Sequence, residues 1–331
     1  MGSLAGLLRA QGYRVTGSDT AVYPPMSEFL AAEGIEISIG FDPAHLEPRP
    51  DLVIVGNAVS RGNAELEAVL ELGLPYTSLP EALRDLFLRD RQSIVITGTH
   101  GKTTTTAMTS WLLDQVGLNP SYLVAGLPRD LPKPYRLSTG PHFVLEGDEY
   151  DSAYFAKIAK FLFYRPKILV INNIEFDHAD IYRDLDEIVR AFRQVINQVP
   201  SNGLICACGD DEVVNSLLQA APAPCLRFGL DDANDFRAID VEVDSGGQTF
   251  GITHRETSLG RWRIGAPGAY NIRNALAAVT VGHWLGIPVE DMRSPMAQFS
   301  GVRRRQEELG IIDGVRVIDD FAHHPTAVEQ T

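Results

Sequence analysis

The stretch SIVITGTHGKTTTT, residues 93–106, decides the fold class, because it joins an apolar strand to a helix through a glycine-rich turn. The run SIVIT is typical of a buried strand, and a helical segment is expected to follow it. Glycines at 98 and 101 let the backbone turn tightly, so that successive N–H groups can face phosphate oxygens at a helix N-terminus. The stretch therefore predicts a phosphate-binding loop.

Seven residues of this loop are candidates for nucleotide binding: Gly98, Thr99, His100, Gly101, Lys102, Thr103 and Thr104. Lys102 would reach the β- and γ-phosphates, and the hydroxyl of Thr103 would bind Mg²⁺. The usual loop G-x-x-x-x-G-K would have glycine where Ile96 stands, so an ordinary strand-to-helix turn remains the alternative. His100 is interpreted as a part of the loop rather than as a catalyst.

Polar residues follow two further apolar strands. VLEGDEYDSAYF (144–155) places four carboxylates at a strand end, the position where α/β proteins bind ligands. Their hard oxygen atoms suit Mg²⁺, although a solvated acidic loop would have the same composition. In ILVINNIEFDHADIY (168–182), His178 stands beside carboxylates at the next strand end, which favours a metal site or a positioning role over a purely structural histidine.

Short apolar runs alternate with longer amphipathic segments along the chain, which predicts an α/β fold with a mostly parallel sheet. Strands are expected at 51–55, 93–97, 142–146, 167–173 and 203–207, and helices at 62–72, 79–89, 103–117, 185–197, 212–219 and 272–285. The charged helix end LRDLFLRDRQ (83–92) indicates a domain boundary near residue 90. The opening MGSLAGLLRAQGYRVTGSD (1–19) is typical of the first helix and second strand of a nucleotide-binding unit, so the first strand of that unit is expected to be missing.

Composition narrows the classes of partner. A chain of 331 residues predicts two domains and part of a third. Its net charge of −14 argues against nucleic acid or an anionic membrane as a partner, although a local basic pocket could still bind phosphates. Cys206, Cys208 and Cys225 are too few for a disulfide framework, and their apolar setting predicts packing rather than zinc binding. Neither a membrane span nor a signal peptide is recognisable, so a cytoplasmic protein is expected.

Six motifs in this order resemble the Mur ligase family over nearly the whole chain: GTHGKTT (98–104), the acidic strand end, DHAD (177–180), NIRN (271–274), RRR (303–305) and DDFAHHPT (319–326). The resemblance implies three parts. A Rossmann-like UDP-sugar domain would span residues 1–90, and a central ATPase domain of the P-loop type would span residues 91–302. Residues 303–331 would be a linker and the start of a largely absent C-terminal domain.

The family's chemistry, carried over by this resemblance, is an ATP-dependent ligation. ATP would phosphorylate a substrate carboxylate, and an amine would attack the acyl phosphate and release phosphate. Lys102, Glu146 and His178 would be the catalytic residues, with Thr103 and Glu146 binding one Mg²⁺ and His178 a second. The nucleotide would also contact Asn271, Asn274, Arg305 and Asp320.

Within the family, the stretches 17–30, 55–65 and 146–155 resemble members that join UDP-N-acetylmuramate to the murein tripeptide L-alanyl-γ-D-glutamyl-meso-diaminopimelate in peptidoglycan recycling. The UDP-sugar would contact Ser18, Asp19, Asn57, Arg61 and Asn63. One alternative is the ligase that adds L-alanine in de novo peptidoglycan synthesis, and another is a fragment that binds nucleotides without catalysis. A Rossmann-type oxidoreductase is a further alternative, but such an enzyme would have no use for the phosphate loop at 98–104 or for the metal-type strand ends.

Overall fold

The computed structural model describes residues 1–24, 26–176, 181–322 and 328–329. Its helices are α1 (Gly2–Ala10), α2 (Met26–Ala32), α3 (Ala64–Glu71), α4 (Leu79–Leu83), α5 (Lys102–Gln115), α6 (Leu185–Ile196), α7 (Glu212–Leu218), α8 (Ala269–Trp284) and α9 (Val289–Gln298). A π-helical turn at Arg84–Leu88 continues α4, and short 3-10 turns lie at Pro43–Leu46 and Lys160–Phe163. Its strands are β1 (Thr16–Asp19), β2 (Glu36–Ile39), β3 (Val53–Val55), β4 (Tyr76–Ser78), β5 (Gln92–Thr97), β6 (Ser121–Leu123), β7 (Tyr135–Arg136), β8 (His142–Glu146), β9 (Asp151–Ala153), β10 (Ala156–Ala159), β11 (Ile168–Ile171), β12 (Leu204–Cys208), β13 (Cys225–Gly229), β14 (Phe236–Asp244), β15 (Gly247–His254), β16 (Thr257–Ile264), β17 (Glu307–Ile312) and β18 (Val315–Asp319).

The N-terminal part is built from parallel strand pairs separated by helices. β1 pairs with β2 and β3 pairs with β4, both in parallel. Asn63 caps α3, because its side-chain oxygen accepts a hydrogen bond from the N–H of Leu66 at 3.0 Å. Ala68 and Val69 of this helix are buried in a small apolar cluster with Leu46 and Leu74. The alternation of helices and parallel strands agrees with the expected Rossmann-like unit.

A ten-stranded sheet forms the centre of the molecule, in the order β16-β15-β14-β13-β12-β11-β5-β8-β6-β7. β5 lies between β11 and β8 and runs parallel to both. Ile94 and Ile96 pack into the core on one face of the sheet, and Val95 packs into the core on the other. Full burial of each such side chain stabilises the folded state by roughly 2 kcal/mol. Packing against both faces of the sheet is typical of parallel strands. The expected α/β fold is confirmed.

The sheet has an antiparallel extension that the sequence analysis did not predict. β14, β15 and β16 form a meander that joins the parallel strands through β13. β17 and β18 form a separate antiparallel hairpin after α9. Arg305 and Asp320, two of the expected nucleotide contacts, flank this hairpin on either side.

The thiols pack in the core as expected. Cys206 and Cys208 are buried and unbridged in β12. Burial raises the pKa of Cys208 to about 12, so its thiol stays protonated at neutral pH. In the part of the chain that the structure describes, no helix has both the length and the apolar surface needed to cross a membrane.

Candidate active site

The phosphate loop connects the end of β5 to the start of α5. Gly98 and Gly101 have φ angles of 127° and 79°, which side chains rarely adopt. A Cβ atom on Gly101 would also lie 2.6 Å from Oδ1 of Asn274. The tight backbone turn before Lys102 therefore depends on glycine, and it leaves the first N–H groups of α5 available to an anion.

Lys102 points back across this loop. Its Nζ donates to the carbonyl oxygen of Gly98 at 2.6 Å and to Oε2 of Glu149 at 2.9 Å. Burial by itself lowers the pKa of Lys102, but the carboxylates of Glu149 and Asp148 outweigh burial and raise that pKa. The ammonium group is therefore held charged beside the loop.

Glu146 lies at the end of β8 and faces the first turn of α5. Its Oε2 accepts a hydrogen bond from the Thr103 hydroxyl at 2.9 Å, and its Oε1 accepts one from the Ala125 N–H at 2.6 Å. The pKa of Glu146 is raised to about 7, mainly by burial and to a smaller extent by the negative charge of Asp148. The structure thus brings together two of the three residues predicted to bind metal.

The third predicted metal ligand, His178, lies outside the described residues. Among the residues that are described, no group of three or more His, Cys, Asp or Glu side chains is arranged to hold a metal ion. The hydroxyl of Thr103 and the carboxylate of Glu146 nevertheless form an adjacent pair of hard oxygen ligands at a helix N-terminus. The metal-binding roles stay predictions.

The rest of the loop is anchored to the segment that follows β11. The Thr99 hydroxyl accepts a hydrogen bond from the Glu175 N–H at 2.9 Å, and the His100 N–H donates to Oδ1 of Asn173 at 2.7 Å. Thr104 is half-buried in the first turn of α5. This anchoring agrees with the interpretation of His100 as a part of the loop.

A chain of buried hydrogen bonds ties α5 to α8. Nδ2 of Asn172 donates to the Thr105 hydroxyl at 3.0 Å, and that hydroxyl donates to Oδ1 of Asn274 at 3.0 Å. Nδ2 of Asn274 then donates to Oδ1 of Asn271 at 3.3 Å. Sequence reasoning proposed the two α8 asparagines as nucleotide contacts and missed Thr105, whose position within a run of four threonines gives no distinguishing signal.

Asn271 also reaches the segment around the β17–β18 hairpin. Its Nδ2 donates to Oε1 of Gln306 at 3.3 Å, and the Gln306 N–H donates to Oδ2 of Asp320 at 2.7 Å. The Arg305 guanidinium carbon lies 5.3 Å from the centroid of the Phe321 ring. A cavity of about 360 Å³ opens here, lined by Tyr150, Arg304, Asp320, Phe321 and Ala322.

The first pair of predicted UDP-sugar contacts lies at the end of β1. The Ser18 hydroxyl donates to Oε1 of Glu65 at 3.0 Å and lies 3.3 Å from Nδ1 of His45. Asp19 is exposed beside it. Glu65 and His45 were not among the predicted contacts. Ser18 lies in β1 and Glu65 in α3, and the sequence does not show that these elements bring the side chains together.

The second group of predicted UDP-sugar contacts follows β3. Asn57 is exposed, and Asn63 caps α3. Arg61 forms a bidentate ion pair with Glu67, with nitrogen-to-oxygen distances of 2.9 and 3.0 Å. The contacts of all five residues with a UDP-sugar stay predictions.

Two family models match the chain. Residues 96–282 match the Mur ligase middle domain, and residues 1–91 match the model described as Mur ligase family, catalytic domain. The first match contains the phosphate loop, Glu146 and both α8 asparagines. The division of the chain near residue 90 stays a prediction.

Named relatives cover the whole chain. It is 42% identical over 331 residues to the UDP-N-acetylmuramate–L-alanyl-γ-D-glutamyl-meso-2,6-diaminoheptandioate ligase of Haemophilus influenzae, covering 100% of this chain and 72% of that protein. It is 33% identical over 335 residues to the UDP-N-acetylmuramate–L-alanine ligase of Caldanaerobacter subterraneus, covering 100% of this chain and 70% of the relative. The crystal structure of the UDP-N-acetylmuramate:L-alanyl-γ-D-glutamyl-meso-diaminopimelate ligase from Neisseria meningitidis superposes with a TM-score of 0.86 at 36% identity, covering 92% of this chain and 96% of that one.

Proposed function

The chain belongs to the Mur ligase family of ATP-dependent ligases, and from this premise we propose that it joins the lactyl carboxylate of UDP-N-acetylmuramate to the amine of L-alanyl-γ-D-glutamyl-meso-diaminopimelate. The choice of amine rests on sequence identity over the whole of this chain. The identity is 42% to a ligase named for this tripeptide and 33% to a ligase named for L-alanine. The reaction would reuse cell-wall peptide in the cytoplasm.

Lys102 is the first residue of the proposed mechanism. ATP supplies the phosphoryl group that converts the unreactive carboxylate into an acyl phosphate. The Lys102 ammonium, held charged between Glu149 and the loop carbonyls, would exchange the carbonyl of Gly98 for phosphate oxygens. Because this charge is already desolvated, its attraction for the phosphates would be stronger than in water.

Thr103 and Glu146 are the proposed ligands of Mg²⁺, with His178 as the ligand of a second ion. Mg²⁺ would neutralise the charge that builds up on the phosphates. The two oxygen ligands fit this ion, because they are adjacent, hard and buried. Burial raises the pKa of Glu146 to about 7, and a bound cation would counteract this effect by stabilising the ionised carboxylate.

The remaining predicted residues complete the two substrate sites. Asn271, Asn274, Arg305 and Asp320 would contact the nucleotide. In support of this, Asp320 lines the cavity beside Phe321, and Asn271 is linked to Asp320 through Gln306. Ser18 and Asp19, with Asn57, Arg61 and Asn63, would bind the UDP-sugar at the carboxyl ends of β1 and β3, where ligands of α/β sheets bind.

The test is phosphate release in the presence of ATP, Mg²⁺ and UDP-N-acetylmuramate, with either the tripeptide or L-alanine as the amine. Turnover with the tripeptide and none with L-alanine is expected. Turnover with L-alanine alone would keep the mechanism and refute the proposed amine. Saturable binding of ATP and UDP-sugar without turnover of either amine would support the reading of the chain as a nucleotide-binding fragment.

A further inference from the structure

A second cavity, of about 320 Å³, lies where the π-helical turn after α4 meets the segment that leads into β11. Four arginines from these two segments line it, together with one carboxylate and a buried tyrosine. The residues are Arg84, Arg89, Arg91, Arg165, Asp85 and Tyr164. The phosphate loop and the hairpin contribute nothing to this cavity.

The walls of the cavity are held by hydrogen bonds. Arg91 donates to the carbonyl oxygen of Phe87 at 2.9 Å and to that of Ser138 at 3.1 Å. The buried hydroxyl of Ser93 donates to the carbonyl oxygen of Arg165 at 2.8 Å. These hydrogen bonds anchor the Arg91 side chain and the backbone of Arg165 at the cavity wall.

The charges lining the cavity do not balance. Asp85 pairs with Arg84 through two hydrogen bonds of 2.8 and 2.7 Å. Arg89 and Arg165 form no ion pair with any described residue. Hydrogen bonding to Arg84 lowers the pKa of Asp85, and the positive charges of Arg89 and Arg165 lower it further. Four arginines and one carboxylate thus line the cavity, in a chain whose net charge is −14.

The cavity lies at the opposite end of the central sheet from the candidate active site. Arg91 directly precedes the first residue of β5, and Arg165 lies just before β11. The phosphate loop follows the last residue of β5. A strand of this length spans about 20 Å, so one ligand cannot occupy both places.

We propose that this cavity is a second anion site, which binds a small molecule carrying two or more linked phosphate groups. The planar guanidinium group of arginine matches phosphate oxygens in geometry and charge. Arg89 and Arg165, which form no ion pair with a described residue, could each pair with one phosphate group. The volume lies at the lower end of the range for small-molecule sites, about 300–1,000 Å³. The inference does not depend on which amine the ligase uses.

Calorimetric titration with inorganic pyrophosphate, in the absence of Mg²⁺, tests the proposal. The phosphate loop is also expected to bind this probe, so the Lys102→Ala/Glu149→Gln variant is used to remove the Lys102 ammonium together with the carboxylate that pairs with it. We expect that variant to retain one pyrophosphate site. Arg89→Ala/Arg165→Ala, made in the same background, should weaken this site at least tenfold.

The matched control is Arg255→Ala/Arg261→Ala, which removes two exposed arginines of the antiparallel meander. It should leave the affinity for pyrophosphate unchanged. The four substituted arginines are exposed, so their replacement is expected to preserve the fold. Thermal unfolding of each variant would verify this. Unchanged affinity after loss of Arg89 and Arg165, or loss of all binding with the loop variant alone, would overturn the proposal.

Discussion

The hydroxyl of Thr105 in α5 donates a 3.0 Å hydrogen bond to Oδ1 of Asn274 in α8, 169 residues further along the chain. Asn172, at the end of β11, donates to the same hydroxyl oxygen. All three side chains are buried. The helix that begins at the phosphate loop is therefore fixed to α8 by polar contacts as well as by apolar packing.

Thr105→Val should destabilise the protein, because it keeps the shape of the side chain and removes both hydrogen bonds. The side-chain amides of Asn172 and Asn274 would each lose one buried hydrogen bond, at a cost of roughly 1–3 kcal/mol each. Urea unfolding would measure the change. Ser110→Ala on the same helix is the control, since its hydroxyl donates within the helix, to the carbonyl of Thr106 in the preceding turn. Equal stability of the two variants would contradict the proposed link.

Lys102→Ala should abolish ATP turnover and also lower the free energy of unfolding. Glu149 is only 2% exposed, so removal of the ammonium takes away the favourable ion pair between Lys102 and this buried carboxylate. Adding Glu149→Gln should recover most of the lost stability and none of the turnover. Thermal unfolding and phosphate release would measure the two effects, and turnover by either variant would refute the role given to Lys102.

Glu146→Ala and His178→Ala should each raise the Mg²⁺ concentration that is needed for half-maximal phosphate release, or stop the reaction. Each change removes one proposed metal ligand. Glu212→Gln, at the exposed start of α7, is the control for the loss of a negative charge. A Mg²⁺ dependence identical to that of the unaltered protein would exclude the residue concerned as a ligand.

Ser18→Ala should raise the KM for UDP-N-acetylmuramate and leave the KM for ATP unaltered, because Ser18 lies on β1 and contacts none of the phosphate-loop residues. Loss of one hydrogen bond to a charged ligand corresponds to about a tenfold change. Initial rates at varied concentrations of each substrate would separate the two constants. Ser216→Ala on α7 provides a control at an exposed serine.

The stability of the protein should fall as the pH drops below about 6.5, in part because of His142. Burial lowers the pKa of His142 in the folded state, so its contribution to stability is present above the pKa of the unfolded state and is lost as the pH falls through the folded pKa. His142→Phe should reduce this loss. Urea unfolding at pH 7.5 and 5 would measure the difference, and an equal loss in both proteins would contradict it.

The parallel core was predictable from sequence because each of its strands is a short apolar run bounded by turn residues. HFVLE (142–146) coincides with β8, and SIVIT (93–97) differs from β5 by one residue. The helix expected at 103–117 runs from Lys102 to Gln115. Strong local signals of this kind need no knowledge of distant contacts.

The meander β14–β16 was not predictable in the same way. Val241 and Val243 lie exposed within β14, which also carries Glu242 and Asp244, so burial does not follow a clean alternation. A strand whose one face is solvated can tolerate such a mixture. The π-helical turn after α4 also escaped prediction, because its periodicity hardly differs from that of an α-helix over five residues.

The candidate site was predictable where a motif is contiguous. Lys102 and Thr103 are neighbours in one loop, and Glu146 is recognisable as the end of an apolar strand. The pairing of Lys102 with Glu149 and the link from Thr105 to Asn274 depend on how separate elements pack. Sequence spacing carries no such distance, so these partners became visible only in the folded structure.

The position of β5 in the sheet also has a consequence for biosynthesis. Both of its neighbours are translated after it, since β8 ends at Glu146 and β11 ends at Ile171. At ~5–20 residues per second, the ribosome takes roughly 4–15 s to make the ~75 residues between the ends of β5 and β11. Throughout that interval Ile94, Val95 and Ile96 lack at least one of the two strands that flank them in the sheet, and a nascent apolar strand of this kind is prone to aggregation. The fully buried core of β5 must therefore stay shielded in the nascent chain until both of its neighbouring strands have been translated.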